Sequence, residues 1–394
     1  LNHSGTTTLN VNGDWTNNGT YNAGSGTVAF AGSNSATLAG SSASNFENLV
    51  INKGTSLSPT LNVTASISAS NITFSNGTLK LSSGTTDIVH GFGIPSTAGI
   101  WVDGATLTTG DFSITNVGLI QVSSGTANFG NSSGNSVHSQ VDGAFIVTGG
   151  AVNIAGRLEN TASGTLTPGV SSGIHISGGT VTLATTGNGL SNVGSLNVTS
   201  NGTFDFTGGT VIFQNPSSGS TELDLGLISG GGAKNTVGGI FQFGNTSTPA
   251  GSAFNISSDI LLDNITSTDN AELTLNSDLT VNQLSLSSNG MDLNANALRI
   301  TATATGIYNF PINDGSGNAI PVTVNLASGS NFDTGAYIEV KTFDAKHPDN
   351  TNTTDYLNRY WTVTTSGITT PVYDITFTYA DDDITGSESE IAMG

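Results

Sequence analysis

Gly125-Thr126-Ala127-Asn128-Phe129, Gly150-Ala151-Val152-Asn153-Ile154 and Gly179-Thr180-Val181-Thr182-Leu183 are three versions of one unit, a glycine followed by a short strand of alternating character. Gly77-Thr78-Leu79-Lys80-Leu81, Gly104-Ala105-Thr106-Leu107 and Gly202-Thr203-Phe204-Asp205-Phe206 extend the series, so its six glycines recur at a loose interval in the twenties. Alternation with period two gives a strand with one buried face. Recurrence at a period of a few tens of residues marks a stacked architecture in which each unit buries its apolar side against its neighbours. Glycine supplies the positive φ that sharp corners require. We therefore expect a parallel β-helix over residues 1–304. The competing reading, an antiparallel meander or sandwich of hairpins, calls for a shorter repeat.

Outward from this centre the same grammar continues. Leu9, Val11, Tyr21, Val28, Phe30 and the run Leu49-Val50-Ile51 repeat it less regularly. Between 255 and 300, apolar pairs such as Leu273 with Leu275 and Leu298 with Ile300 indicate leaner coils. Near residue 305 the composition changes: six of the seven Tyr lie beyond it, with Pro311, Pro321, Pro348 and Pro371. Long aromatic strands such as Tyr373-Asp374-Ile375-Thr376-Phe377-Thr378-Tyr379 predict an antiparallel, immunoglobulin-like β-sandwich over 305–394. Leu1 has no signal-type segment after it, so the chain reads as a processed or excised piece, and at Gly394 it stops within the sandwich.

Composition sets the habitat. Of 394 residues, 28 are Asp or Glu and 8 Lys or Arg, a formal charge of 8 − 28 = −20, and charged residues make up 9%. Nucleic acid needs basic patches to displace counterions, which this balance excludes, and an anionic membrane surface is excluded likewise. No apolar run approaches the roughly 20 residues that span a bilayer. With no Cys, disulfides and thiolate metal sites are ruled out.

The string from Gly13 to Gly32 (Gly-Asp-Trp-Thr-Asn-Asn-Gly-Thr-Tyr-Asn-Ala-Gly-Ser-Gly-Thr-Val-Ala-Phe-Ala-Gly), followed by Phe46-Glu47-Asn48-Leu49-Val50-Ile51-Asn52, resembles the β-strand repeats of large secreted surface proteins of Bacteroidota-type bacteria. Phe310-Pro311-Ile312, Leu357-Asn358-Arg359-Tyr360-Trp361-Thr362-Val363 and Tyr379-Ala380-Asp381-Asp382-Asp383 resemble the module that follows such repeats. The resemblance implies export by the type IX route and an extracellular or cell-surface location. It carries no catalytic residues.

Parallel β-helices host polysaccharide lyases and hydrolases, which makes a catalytic reading one to weigh. A hydrolase needs two carboxylates roughly 5 to 10 Å apart; a lyase needs a cationic base. Trp101, Asp103 and Asp111, with His90 upstream, form the best aromatic and carboxylate group. The alternative is a turn at Asp103-Gly104 beside a core or rim tryptophan. Lys53, Lys80, Arg157, Lys234 and Arg299 look scattered, and His138, His175 and His347 look isolated and solvent-facing. No Gly-x-Ser-x-Gly is set in a strand-to-helix context with partner His and Asp, and no phosphate loop is present. No cofactor is expected, with calcium as the minor candidate: Asp314, Ser316 and Asn318 alternate with glycine, and Asp381, Asp382 and Asp383 are contiguous. The competing reading of both is an acidic turn. The pairs Thr106 with Thr108, Thr165 with Thr167 and Thr180 with Thr182 are expected on the solvent side, as plain strand surface or as a face for glycans or ice. The function expected is a non-enzymatic extracellular stalk, adhesin or fibre element whose partners are further copies of itself or surface glycans. The alternative is a glycan-binding or polysaccharide-degrading β-helix.

Overall fold

The computed structural model describes every residue except 4, 163, 164, 167–169, 190–192, 218–222, 328–330 and 392–394. Of Thr165, Leu166 and Val170 it describes the backbone alone. The described residues form β-strands and two short 3-10 turns, Asp381–Asp383 and Glu388–Glu390, with no α-helix. Two compact units are distinguished: Leu1–Glu222 with Gly226–Ile240, and Leu223–Leu225 with Phe241–Gly394.

In the first unit, strands pair in parallel with the strand one repeat later. Thr8 lies opposite Thr27, Thr27 opposite Asn48 and Asn48 opposite Asn71. Further on, Thr85, Thr106, Thr126, Ala151, Thr180 and Thr210 follow one another in register, and the sequence distance per step grows toward the end of the series. Parallel neighbours need a long connection, here the remainder of one turn. A turn carries up to three short strands, such as the two halves of Ala98–Thr109 followed by Ile114–Asn116. This is a β-helix-like arrangement.

The inward member of each alternating pair builds the core. Leu79, Ile100, Ile120, Phe145, Ile174 and Phe204 stack coil upon coil, all buried. Leu107, Ala127, Val152, Val181 and Val211 line a second wall, and Ile114, Val137, Leu158 and Leu196 a third. Burying such a side chain contributes about 1.5–3 kcal/mol, so the stack supplies its own cohesion.

The glycines mark one corner. Gly125, Gly150, Gly179 and Gly209 all have positive φ, and a Cβ on each would meet the backbone of the coil before. Gly209, rather than Gly202, continues the series: Thr210 lies opposite Thr180, whereas Phe204 lies opposite Ile174 on another wall. Gly77 likewise belongs to that other wall, opposite Ala98. Spacing alone misplaced both because a coil carries glycine at more than one corner.

The second unit begins with shorter parallel turns. Ser252 pairs with Ala271 and Leu273 with Met291, which in turn pairs with Ile312. On the other side Leu262 pairs with Val281, and Leu279 with Leu298. The parallel ladder thus runs past residue 304. Leu298–Thr301 then accepts an antiparallel strand, Asn331–Phe343, which pairs with Tyr360–Thr369. Gly306–Phe310, Val322–Leu326 and Tyr373–Phe377 form a separate three-stranded antiparallel sheet. Trp361 and Phe377 bring the two sheets together at 5.2 Å between ring centroids.

Candidate functional site

Ile100 and Val102 take the inward positions of their strand, which turns Trp101 outward. One coil earlier, Lys80 is its register partner. Lys80 Nζ sits 3.7 Å from the indole centroid and 2.8 Å from Asp103 Oδ2. The indole Nε1–H donates to Ser123 Oγ at 2.8 Å, and Ser123 Oγ donates to Asp103 Oδ1 at 2.7 Å. Ser124 Oγ adds a weaker bond of 3.3 Å to the same oxygen. The register slips at Asp103, which sets it opposite Ser124 at the corner. Trp101, Ser123, Asp103 and Lys80 therefore close a ring of contacts across three coils. The bond from Lys80, then that from Ser123, holds Asp103 below the usual carboxylate range. An acid kept ionised in this way cannot donate a proton near neutrality.

Asp111 does not join this group. It accepts from Asn135 Nδ2 at 3.1 Å and shares no partner with Asp103. His90, exposed, donates from Nδ1 to the carbonyl of Ser70 at 2.7 Å. Lys80 was unreadable as a partner because its separation from Asp103 along the chain has meaning only once the coil length is known.

A second polar group went unnoticed in the sequence. His138 is half-buried rather than solvent-facing. Gln140 Nε2 donates to its Nδ1 at 2.9 Å, its Nε2–H donates to Thr161 Oγ1 at 3.3 Å, and Glu159 Oε2 lies 3.6 Å from Nδ1. Arg157 Nε bonds Glu159 in turn, while the buried Nη1 of Arg157 makes no hydrogen bond. Burial, reinforced by the Arg157 charge, pushes His138 below the usual imidazole range. His138 and Glu159 are direct register partners on successive coils, and their coil-length separation was the available signal. His175 is also half-buried, with Nε2 donating to Ser172 O at 2.9 Å and Nδ1 3.9 Å from Asp205. His347 is exposed and packs edge-on against Tyr360.

The fold brings the two calcium candidates together. Gly317, Asn318, Ala319, Tyr379, Asp381 and Asp382 line an open recess of ≈ 540 Å³, and Asn318 Nδ2 reaches Asp382 Oδ2 at 3.5 Å. The carboxylate oxygens of Asp314 are engaged within its own turn. Asp314 Oδ1 accepts from the backbone N–H groups of Ser316 (2.8 Å) and Asn318 (2.9 Å), and Oδ2 from Asn318 Nδ2 (2.7 Å). Burial alone would raise Asp314, but these bonds outweigh it and hold the carboxyl low. Asp383 faces inward, where Arg359 Nε donates to both its oxygens at 3.0 and 3.1 Å. Among the described residues no three His, Cys, Asp or Glu side chains are placed to hold a metal ion.

Of the threonine rows, Thr108 is exposed and Thr106 and Thr180 are half-buried, but Thr182 is buried at 8% exposure, contrary to expectation. Thr167 lies outside the described residues, as does the side chain of Thr165. No family model matches the chain, and no curated protein or solved structure is significantly similar to it.

Proposed function

We propose that this chain is a non-enzymatic extracellular structural or adhesive element: a parallel β-helix serving as a rigid stalk or fibre segment, followed by an immunoglobulin-like β-sandwich. In this reading it is exported to the cell surface by the type IX route, in keeping with the repeat motifs of its N-terminal stretch. The observation that carries the proposal is how the outward polar side chains are used. They bond to their counterparts one coil away: Asn71 to Asn48 (3.2 Å), Asn153 to Asn128 (2.8 Å), Ser68 to Asn45 (2.9 Å) and Ser82 to Asn62 (2.6 Å). In the second unit Asn282 bonds Asp263 (2.6 Å) and Thr301 bonds Asn282 (2.8 Å). Such ladders tie coil to coil and favour stiffness over a reaction centre.

The cations support the same reading. Lys80, Arg157, Arg299 and Arg359 are held in ion pairs, and Lys53, Lys234 and Lys346 donate to backbone carbonyls. A lyase base has to be free to take a proton, and these seven of the eight Lys and Arg are engaged. No helix among the described residues is long and apolar enough to cross a membrane. Incubation with pectins, alginates and host glycans, followed by assay for unsaturated uronides and new reducing ends, tests the proposal. No product is expected; turnover of any of these polymers would replace the structural reading with the polysaccharide-degrading one.

A further inference from the structure

We infer that the outward column through Trp101 is a binding face for a neutral, hydroxyl-rich polysaccharide laid across successive coils. The inference rests on the adhesive part of the reading above. Lys80, Trp101, Gln121, Ile146, His175 and Asp205 are register partners in turn, so they form one straight row on the outside of a single wall. Parallel strands in this ladder lie about 4.8 Å apart, so the row presents a side chain at regular short intervals.

Trp101 is the largest side chain of this row, in which Ile146 packs against Leu57, Leu119 and Ala144. The outward positions of the neighbouring wall hold Thr106, Thr126, Ala151 and Thr180, residues of small or medium size. A tryptophan presents an apolar body and one polar edge, the form that sugar rings and amphipathic partners use. Here the ring is fixed before any ligand arrives. Ser123 holds its Nε1 edge and Lys80 lies over its face, and both are anchored to Asp103. A platform immobilised beforehand avoids part of the ordering cost of binding.

Charge selects the class of ligand. The chain carries −20, and the one cation of the row is already neutralised by Asp103 at 2.8 Å, so a polyanion meets repulsion with nothing to offset it. The Gln121 amide offers a donor and an acceptor suited to hydroxyl groups, whereas His175 Nε2–H is given to Ser172 O and Asp205 Oδ1 accepts from Asn235. The row therefore favours an uncharged glycan over an acidic one.

Native electrophoresis of the full chain through gels containing laminarin, xyloglucan or galactomannan, with alginate as the anionic comparison, tests this. At least one neutral polysaccharide is expected to retard the protein. Trp101→Ala should weaken that retardation about tenfold, the scale of one aromatic contact, while Trp15→Phe and Trp361→Phe leave it unchanged. Migration unaffected by every neutral polymer, retardation by alginate alone, or a Trp101→Ala variant that binds like the parent would each overturn the inference. Should Trp101→Ala fail to fold, the double variant Trp15→Phe/Trp361→Phe leaves Trp101 as the sole tryptophan. Its fluorescence should then shift saturably with the retained glycan, and no shift would refute the assignment. The stalk reading is tested separately by turnover, so either can fail alone.

Discussion

Replacing Gly179 with alanine probes the corner on which the stacking depends. Gly179 has φ +76°, and a Cβ there would lie 2.6 Å from the carbonyl oxygen of Gly150 and 2.7 Å from the carbonyl carbon of Gly149. The left-handed conformation costs a non-glycine residue about 1–2 kcal/mol. Relieving the overlap means moving backbone held in register from both sides, which adds roughly 1–3 kcal/mol. Reduced freedom of the unfolded chain returns about 0.4–1 kcal/mol. The net expectation is a loss of about 2–4 kcal/mol, read as a lower urea midpoint at unchanged slope by far-ultraviolet circular dichroism. Gly13→Ala is the control: nothing lies within 4 Å of its would-be Cβ, and its stability should move by less than about 0.5 kcal/mol. Gly150 and Gly209 occupy the same corner, with φ +74° and +85° and carbonyl oxygens at 2.7 and 2.6 Å, so they should respond like Gly179. If Gly179→Ala proves as mild as Gly13→Ala, the argument from a glycine column is wrong.

Arg359→Met should destabilise by about 3–5 kcal/mol, because it strands the Asp383 carboxylate in a site where both side chains are only 5% exposed; adding Asp383→Leu should restore much of the loss in thermal melts. Phe145→Ala removes a fully buried ring from the inward stack and should cost about 3–5 kcal/mol by the same measurement. His138 has a folded pKa below its ordinary 6.5, so its contribution is complete above pH 6.5 and fades as pH falls toward the folded value. Melts from pH 7.5 downward should therefore show a decline below 6.5 that His138→Gln flattens; an equally steep decline in the variant would remove His138 as its cause. Asp103→Asn frees Lys80 from a partly exposed pair and should lower stability by no more than about 1 kcal/mol.

The coil was legible in the glycine-led units because alternation and recurrence both follow from burying one strand face per turn. Which corner a glycine occupies was not legible. Gly202 and Gly209 both precede a threonine and an apolar residue, and only the pairing of Thr210 with Thr180 separates them. The same limit hid the polar groups. Lys80 meets Asp103, and His138 meets Glu159, one coil away, in turns of unequal length: the step from Leu273 to Met291 is short and that from Thr180 to Thr210 long. The calcium candidates raise a different point. The sequence set Asp314 in a loop and Asp381, Asp382 and Asp383 side by side, but could not show that Asp314 would accept bonds from its own turn or that Asp383 would turn inward to Arg359. The aromatic tail announced antiparallel strands correctly, whereas its first strands stay joined to the parallel ladder through Ile312 and Asn331–Phe343.

The unequal turn lengths have a practical consequence. The chain takes a longer path from Thr126 to Ala151 than from Thr106 to Thr126, yet both steps advance the wall by one strand. Part of the longer turn is the loop Gly130–Asn135, pinned by Asn135 Oδ1, which accepts from the backbone of Asn131 and Ser132 at 2.9 Å each. Foreign peptide grafted between Ser132 and Ser133 would part Asn135 from both of these donors and pull on Ser133, whose carbonyl accepts from Gly189 N at 3.0 Å in a later coil, so the extra length of this turn is woven into the frame rather than hung outside it.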